Sequence, residues 1–233
     1  MTEKTTHIGL LLFPNLTQLD LTGPFEAFAR IPGAKVHLVW KRREAVTSDV
    51  GLPIMATATL EDCPKLDVIC VPGGPGMNDL LLDDEVLAFV RRQGETARYV
   101  TSVCTGALVL GAAGLLQGYR AATHWASMDF LAAFGATPVK TRVCVDRNRI
   151  TGGGVTAGID FGLLIASLIA DRQTAERIQL YMEYNPDPPF TAGSPDTAPP
   201  AVVAGFREFM GPYLERRATL VRQAAERLAG RTD

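Results

Sequence analysis

The sequence predicts an α/β fold: a doubly wound, mostly parallel sheet with helices on both faces, followed by a C-terminal helical extension. Short apolar runs rich in β-branched residues alternate with helical patterns, which is typical of a parallel sheet. Turns rich in glycine and proline end several of these runs, most clearly at Pro72–Gly76. With 233 residues, 47% of them hydrophobic and 21% charged, the chain can bury a large core without disulfides or metal ions.

The elements follow from the pattern in chain order. Strands are predicted at His7–Phe13, Val36–Trp40, Asp67–Val71, Tyr99–Val103 and Arg120–Thr123. Helices are predicted to begin near Thr22-Gly23-Pro24, where Pro24 suits a first helical turn, and to span Asp84–Ala97, Gly106–Leu116 (closed by Gly118) and Asp171–Tyr184. The irregular stretch Ala45–Leu60 is predicted to contain a hairpin that turns at Gly51-Leu52-Pro53.

Three parts of one domain are predicted. Residues 1–184 form the α/β unit. Residues 185–200 carry six of the 15 prolines and are predicted to be an irregular loop. Residues 201–233 are predicted to be a helical extension of the same domain, because Ala201–Leu228 is rich in arginine and glutamate.

Cys104 lies where a strand pattern stops and a helix pattern starts. The segment Ser102-Val103-Cys104-Thr105-Gly106 has the spacing of a nucleophile elbow, with cysteine in place of serine. A sulfur at a helix N-terminus meets unpaired N–H groups that favour an anion, so the sequence predicts a thiolate nucleophile with a lowered pKa. A buried structural cysteine is the alternative, and that role is predicted for Cys70 and Cys144, which lie within apolar runs.

Other polar residues are expected beside Cys104. In the strand order 2-1-3-4, ligands bind beyond the carboxyl ends of the strands. Asp20 follows the first strand, Gly73 and Gly74 follow the third, and His124 follows the fifth. We therefore expect these residues to meet Cys104 at one edge of the sheet.

Each of these neighbours has two interpretations. Asp20 is either a helix cap or an acid whose pKa is raised by its apolar neighbours. The N–H groups of Gly73 and Gly74, with that of Thr105, either form an anion hole or belong to a plain turn. His124 is either the base of a cysteine–histidine pair or a supporting residue beside Trp125.

Composition excludes several classes of protein. The net charge of −2 gives no general attraction to nucleic acid or to an anionic membrane. Four cysteines without a C-x-x-C spacing and only three histidines argue against a metal site. The early apolar run Ile8–Phe13 is too short for a signal peptide or a membrane span. We expect a cytoplasmic chain that contacts neither nucleic acid nor membrane.

Several motifs together resemble the ThiJ/PfpI superfamily. They are Pro72-Gly73-Gly74, Thr101-Ser102-Val103-Cys104-Thr105-Gly106, Ala122-Thr123-His124-Trp125 and Thr151–Asp160. Within it, Gln18–Pro24, Glu183–Pro186 and Ala192–Pro199 are most similar to the branch that hydrates isonitriles. The resemblance implies a flavodoxin-like fold of the class I glutamine amidotransferase type. Two departures weaken the resemblance to other branches of the superfamily. Thr105 stands where the intracellular peptidases have histidine. The transcriptional regulators continue into a helix-turn-helix domain, and too few residues follow Pro200 for one.

The resemblance also implies the chemistry. Cys104 would be the nucleophile, Asp20 the general acid and base, and Thr105 an assisting neighbour. From their positions after the strands, we also expect Gly73, Gly74 and His124 to bind substrate. The expected reaction is hydration of a small isonitrile to an N-substituted formamide without cofactor or metal, in a homodimer. Two alternatives remain: glyoxalase-like or deglycase-like chemistry on reactive carbonyls, and a redox or ligand sensor whose cysteine is modified rather than turned over.

Overall fold

A seven-stranded sheet forms the centre of the computed structural model, which describes residues 5–230. The outermost positions of the predicted parts, 1–4 and 231–233, lie outside the described residues. The strands are β1 Thr6–Leu11, β2 Ala34–Trp40, β3 Ala45–Thr47, β4 Pro53–Met55, β5 Ala58–Thr59, β6 Val68–Val71, β7 Tyr99–Ser102, β8 Arg120–Ala121, β9 Thr137–Pro138, β10 Val143–Asp146 and β11 Arg149–Gly152. The helices are α1 Gln18–Phe28, α2 Met77–Leu80, α3 Asp84–Thr96, α4 Gly106–Ala112, α5 Ala157–Ile169, α6 Arg172–Tyr181 and α7 Pro200–Ala229, with a 3₁₀ helix at Trp125–Phe134.

The main sheet has the order β10-β11-β7-β6-β1-β2-β5. All its pairs are parallel except β10 with β11. The central order β2-β1-β6-β7 is the predicted 2-1-3-4 order, so the doubly wound fold is confirmed. Buried strand residues such as Ile8, Leu10 and Ile69 form the core. The helices pack in two groups, α1 with α5 and α6, and α4 with α3, the 3₁₀ helix and α7.

The strand predicted at Arg120–Thr123 is present but shorter, and it does not belong to the main sheet. Arg120–Ala121 pairs with β9 in a separate two-stranded sheet, and β11 occupies the position beside β7 instead. The predicted hairpin in residues 45–60 is confirmed, because β3 pairs with β4 in antiparallel fashion. The predicted C-terminal helix is confirmed as α7.

Two helix boundaries also differ from the prediction. α1 begins at Gln18, so Pro24 lies inside the helix rather than in its first turn. α4 ends at Ala112 rather than near Gly118. Gly114, with φ of +80°, provides the left-handed residue that ends the helix, and the Leu115 N–H donates to the Leu110 carbonyl at 3.0 Å.

Candidate active site

Cys104 occupies the turn between β7 and α4 in a backbone conformation that side chains rarely adopt. Its φ is +52°, in the left-handed region that costs a residue other than glycine roughly 1–3 kcal/mol. Both of its backbone groups are held: its N–H donates to the Gly152 carbonyl at 3.2 Å, and its carbonyl accepts from Thr123 Oγ1 at 2.7 Å. The predicted elbow is therefore present, and neighbouring segments fix it.

Gly106 explains why the elbow needs a glycine two residues after the cysteine. A Cβ at this position would lie 2.0 Å from the carbonyl oxygen of Val71, at the end of β6. The start of α4 can therefore approach the neighbouring strand end only without a side chain. This close approach sets the sulfur above the carboxyl edge of the sheet, where ligands of such folds bind.

Asp20 meets the elbow from the first turn of α1. The side chain is fully buried, and its Oδ2 accepts from the Gly73 N–H at 2.9 Å. It does not cap α1: Thr17 is the N-cap residue, and the Thr17 hydroxyl bonds Asp49 instead. Oδ1 has no hydrogen-bond partner among the described residues. The interpretation of Asp20 as a helix cap is therefore wrong.

The Asp20 carboxyl and the Cys104 thiol lie close enough to shift each other's pKa. Burial raises the pKa of Asp20 to about 7, against the Gly73 hydrogen bond that lowers it. Burial also raises the pKa of Cys104 well above its usual range, and the nearby Asp20 charge adds to this. The raised pKa predicted for Asp20 is confirmed. The lowered pKa predicted for Cys104 is wrong, because loss of water outweighs the Thr105 N–H, which favours the thiolate from the helix side.

A hydrogen-bonded turn lies beside the thiol–carboxyl pair and contains Gly73, Gly74 and Thr105. The Gly74 N–H donates to Thr105 Oγ1 at 3.1 Å, as the Gly73 N–H does to Asp20. A Cβ on Gly73 would lie 2.6 Å from both the backbone nitrogen and Oγ1 of Thr105. Both glycine N–H groups therefore donate to protein acceptors in this structure. The anion hole predicted from these groups stays a prediction.

His124 lies at the pocket wall and caps the 3₁₀ helix. Its Nδ1 accepts from the Ala126 N–H at 3.3 Å, which orients the ring. Burial lowers the pKa of His124, and the positive charge of Arg217 lowers it further. A neutral, capping ring fits the supporting role better than that of a base.

A pocket of about 360 Å³ opens above Cys104. Thr105, His124 and Gly74 line it from the sheet edge, while Asp49 and Val50 reach it from the hairpin loop. Helix α7 supplies a further wall through side chains that the sequence analysis did not single out. They are Phe206, Phe209, Met210, Tyr213 and Arg217.

The five α7 residues share a signal that the sequence does contain. Their spacing of three, four, seven and eleven residues from Phe206 places them along one face of a helix. Phe206 packs on Trp125 with ring centroids 5.2 Å apart, which joins α7 to the segment that carries His124. The face can be recognised from the spacing, but the partner of that face is known only from the fold.

Among the described residues, no group of three or more histidine, cysteine or acidic side chains is arranged to hold a metal ion. No helix within residues 5–230 is long and apolar enough to span a membrane. All four cysteines are free thiols, and Cys70 and Cys144 are buried in strands of the sheet.

Comparison with known proteins assigns this chain to a family. Residues 6–168 match the sequence profile of the DJ-1/PfpI family. The chain belongs to this family. It is 57% identical over 222 residues to an isonitrile hydratase from Pseudomonas putida, covering 95% of this chain and 97% of that protein.

Solved structures of DJ-1/PfpI relatives confirm the fold. A ThiJ/PfpI family protein from Pseudomonas syringae superposes with a TM-score of 0.91 at 47% identity, covering 94% of this chain and 91% of that one. A DJ-1 superfamily protein from Salmonella typhimurium, solved as a cysteine-to-alanine mutant, has a TM-score of 0.70 at 26% identity and covers 78% of this chain and 100% of that one. The DJ-1/PfpI profile ends before α7, whereas the isonitrile hydratase matches nearly the whole chain.

Proposed function

We propose that this DJ-1/PfpI protein is an isonitrile hydratase that converts R–N≡C to an N-substituted formamide. The observation that carries the proposal is a buried thiol–carboxyl pair beneath a largely apolar pocket, in a chain 57% identical to an isonitrile hydratase. The catalytic roles of Cys104 and Asp20 are part of the proposal.

In the first step the Cys104 thiolate attacks the terminal carbon of the isonitrile. The protonated Asp20 carboxyl delivers its proton to the same carbon, so a C–S and a C–H bond form as N≡C becomes N=C. The product is a covalent thioimidate, R–N=CH–S–Cys104, and Asp20 is left as a carboxylate. A pKa of about 7 suits an acid that must also act as a base near neutral pH.

In the second step the Asp20 carboxylate accepts a proton from water as the water oxygen adds to the thioimidate carbon. The nitrogen takes up a proton through the same carboxyl, which gives a tetrahedral R–NH–CH(OH)–S–Cys104. Its hydroxyl proton passes to Asp20 as the C–S bond breaks, which releases the formamide and the thiolate. One thiol and one carboxyl therefore complete the cycle.

Supporting residues follow from the geometry. Thr105 holds the Gly74 turn through its hydroxyl and offers its N–H to the sulfur. Gly73 fixes Oδ2 of Asp20, which leaves Oδ1 as the oxygen that exchanges protons. We propose that Gly74 and His124 contact the bound substrate, since both line the pocket.

Peptide hydrolysis fits this site less well than hydration. A leaving amine must be protonated by a well-placed acid, and the residue after the cysteine is Thr105. His124 accepts a backbone hydrogen bond through Nδ1 and has a lowered pKa. An isonitrile has no leaving group other than the returning thiolate, so the single carboxyl is enough.

We also propose a cytoplasmic homodimer in which residues 1–184, 185–200 and 201–233 act as one domain. Four free thiols suit a reducing compartment. Helix α7 lines the same pocket as Cys104, which ties the extension to the α/β unit. Exposed apolar side chains such as Phe209 and Val202 offer surface for a second copy. Light scattering should give twice the chain mass of 25.1 kDa, and a monomer at micromolar concentration would contradict the dimer.

The test of the function is catalytic turnover. Cyclohexyl isocyanide should give N-cyclohexylformamide over many cycles, while casein and short peptides stay intact. Consumption of methylglyoxal without formamide would instead favour carbonyl chemistry. A single stoichiometric modification of sulfur, without turnover of either compound, would favour a sensor.

A further inference from the structure

Arg217 carries a buried positive charge with no acidic partner. The residue is 3% exposed and lies on the face of α7 that lines the Cys104 pocket. Its Nε donates to Asn78 Oδ1 at 2.9 Å and its Nη1 to Ser127 Oγ at 2.6 Å, and both acceptors are neutral. Within residues 5–230 no carboxylate lies within ion-pair distance of this guanidinium. Burying a charge without a counter-charge is costly, so a compensating role for the charge is expected.

The neighbouring residue shows that this arrangement is specific to Arg217. Arg216 is exposed and forms an ion pair with Asp79, next to Asn78 in α2. Two consecutive arginines of α7 thus meet two consecutive residues of α2. The outer arginine has a carboxylate partner, and the inner one has an amide.

Two buried groups beside the pocket can become negative, the Cys104 thiol and the Asp20 carboxyl, and of these the thiol is the one on which the Arg217 charge acts. The titratable side chains that face the pocket region are Asp20 from α1, Asp49 from the hairpin loop, His124 before the 3₁₀ helix, and Tyr213 and Arg217 from α7. Asp20 disfavours a thiolate, and His124 has a lowered pKa that keeps it neutral. Among the described lining residues Arg217 is the only arginine or lysine.

We propose that Arg217 is a positioning residue whose fixed charge stabilises the ionised sulfur of Cys104. It acts through the sulfur, and Asn78 and Ser127 hold the guanidinium in place. The opposite effects of the two groups agree with this: Arg217 lowers the pKa of Cys104, and Cys104 raises that of Arg217. An arginine suits the role because it stays protonated even when burial lowers its pKa.

The proposed reaction makes this charge useful at two points, and this part of the inference rests on the proposed function. Sulfur is negative when it attacks the isonitrile and again when it leaves the tetrahedral intermediate. It is uncharged in the thioimidate between them. Arg217 comes from helix α7, beyond residues 6–168 that match the DJ-1/PfpI family, whereas Cys104 and Asp20 lie within that span.

The test is the pH dependence of Cys104 alkylation by iodoacetamide, followed by peptide mass spectrometry. The variants are Arg217→Met, which removes the charge at similar length, and Arg217→Lys, which keeps it. Arg216→Met is the matched control on the same helix. Because the thiolate is the reactive form, below the midpoint the rate should fall roughly tenfold for each unit by which the thiol pKa rises.

Arg217→Met should move the alkylation midpoint to higher pH, Arg217→Lys should restore part of the shift, and Arg216→Met should follow the wild type. An unchanged midpoint in folded Arg217→Met would overturn the proposal and leave Arg217 a structural residue.

If Arg217→Met does not fold, the variant Asn78→Asp provides the test, because its carboxylate would offset the Arg217 charge without removing the arginine. It should also raise the midpoint, and a folded Asn78→Asp with the wild-type midpoint would overturn the proposal. Alkylation does not require an isonitrile, so a shift without formamide production would contradict the proposed function and not this inference.

Discussion

The α/β unit and helix α7 contribute different things to one pocket. The thiol, the carboxyl and the turn beneath them come from segments within residues 6–168, the span shared across the DJ-1/PfpI family. The apolar wall and the buried cation come from α7. The proposed reacting groups, Cys104 and Asp20, therefore lie within the span that matches the family, whereas the apolar wall that we propose contacts the rest of the substrate lies on α7.

The two regions are also held by different physical means. In the α/β unit, hydrogen bonds from neighbouring segments fix the strained Cys104, and a close backbone approach fixes Gly106. Helix α7 is joined by side-chain contacts, among them Phe206 on Trp125 and Arg217 on Asn78 and Ser127. Changes in the first region should therefore affect chemistry and folding together. Changes in the second should affect selectivity first.

The largest effect is expected at the nucleophile. Cys104→Ala should abolish formamide production, because no other described thiol lies in the pocket, while the circular dichroism spectrum stays that of the wild type. Cys63→Ala, at a half-buried thiol away from the pocket, is the control and should keep full activity. Residual turnover in Cys104→Ala, or faster labelling of Cys70 or Cys144 by iodoacetamide, would contradict the assignment.

Removal of the acid should have the next largest effect. Asp20→Asn should lower kcat/KM by roughly 10²–10⁴-fold, the usual loss for an acid–base group, with the thiol still open to alkylation. Asp83→Asn, at the cap of α3, tests for a general effect of the substitution and should keep normal turnover. A near-normal rate with reduced thermal stability would mark Asp20 as structural.

The pH profile sharpens the same point. The reactive form of the thiol–carboxyl pair holds one proton, so kcat/KM should rise as the pH passes about 7, where the fully protonated pair loses the first of its two protons. Asp20→Asn should move this limb to higher pH, because the buried thiol must then ionise alone.

The raised pKa of Asp20 also means that the folded state binds this proton more tightly than the unfolded state. Wild-type stability should therefore fall from about pH 4 to about pH 7 relative to Asp20→Asn, as measured by urea unfolding at each pH.

Truncation of the α7 wall should give a smaller, substrate-dependent loss. Phe206→Ala should lower kcat/KM for cyclohexyl isocyanide by roughly 10–100-fold, within the range for lost apolar pocket contacts. Methyl isocyanide should be affected less, since a methyl group has less apolar surface to contact the wall than a cyclohexyl ring has. Phe190→Ala, at an exposed phenylalanine of the proline-rich loop, serves as the control. An equal loss for both substrates would mean that α7 supports the fold and not selectivity.

The last comparison uses two glycine substitutions, whose effects on the free energy of unfolding should have opposite signs in the two regions. Gly106→Ala places a Cβ against the Val71 carbonyl and should destabilise the protein by about 1–3 kcal/mol, as overpacking does. Gly205→Ala adds a methyl group to open space on α7 and should stabilise it by about 0.5–1 kcal/mol. Urea unfolding measures both, and equal signs would show that the two regions are not packed differently.

Local patterns predicted the α/β unit well because its decisive signals are short-range. The run from Val100 to Gly106 contains a strand, a corner and a helix start, and all three appear in the structure. The start of α1 was missed because Pro24 suggested a first turn. The structure instead begins the helix at Gln18, and the Thr17 hydroxyl bonds Asp49 in a distant loop. A contact between loops leaves no local sequence signal.

Arg217 shows where prediction from sequence ends. Its partner Asn78 lies 139 residues earlier in the chain, so only the packing of α7 against α2 and the 3₁₀ helix brings it to the pocket. The prediction of a lowered pKa for Cys104 was wrong for a related reason. The helix N-terminus, which favours the thiolate, can be recognised in the sequence, whereas the depth of burial that outweighs its effect cannot. The raised pKa of Asp20 was predictable because its apolar neighbours are adjacent in sequence, whereas the pKa of Cys104 depends on burial by distant segments.

Mass spectrometry of the intact protein during turnover of cyclohexyl isocyanide tests the central claim most directly. The account predicts a transient species heavier by one isonitrile molecule, mapped by peptide digestion to Cys104, that forms and decays as N-cyclohexylformamide accumulates. The adduct should be absent in Cys104→Ala. Formamide release without any adduct on Cys104, or a stable adduct with no formamide, would contradict hydration through a covalent thioimidate at this pair.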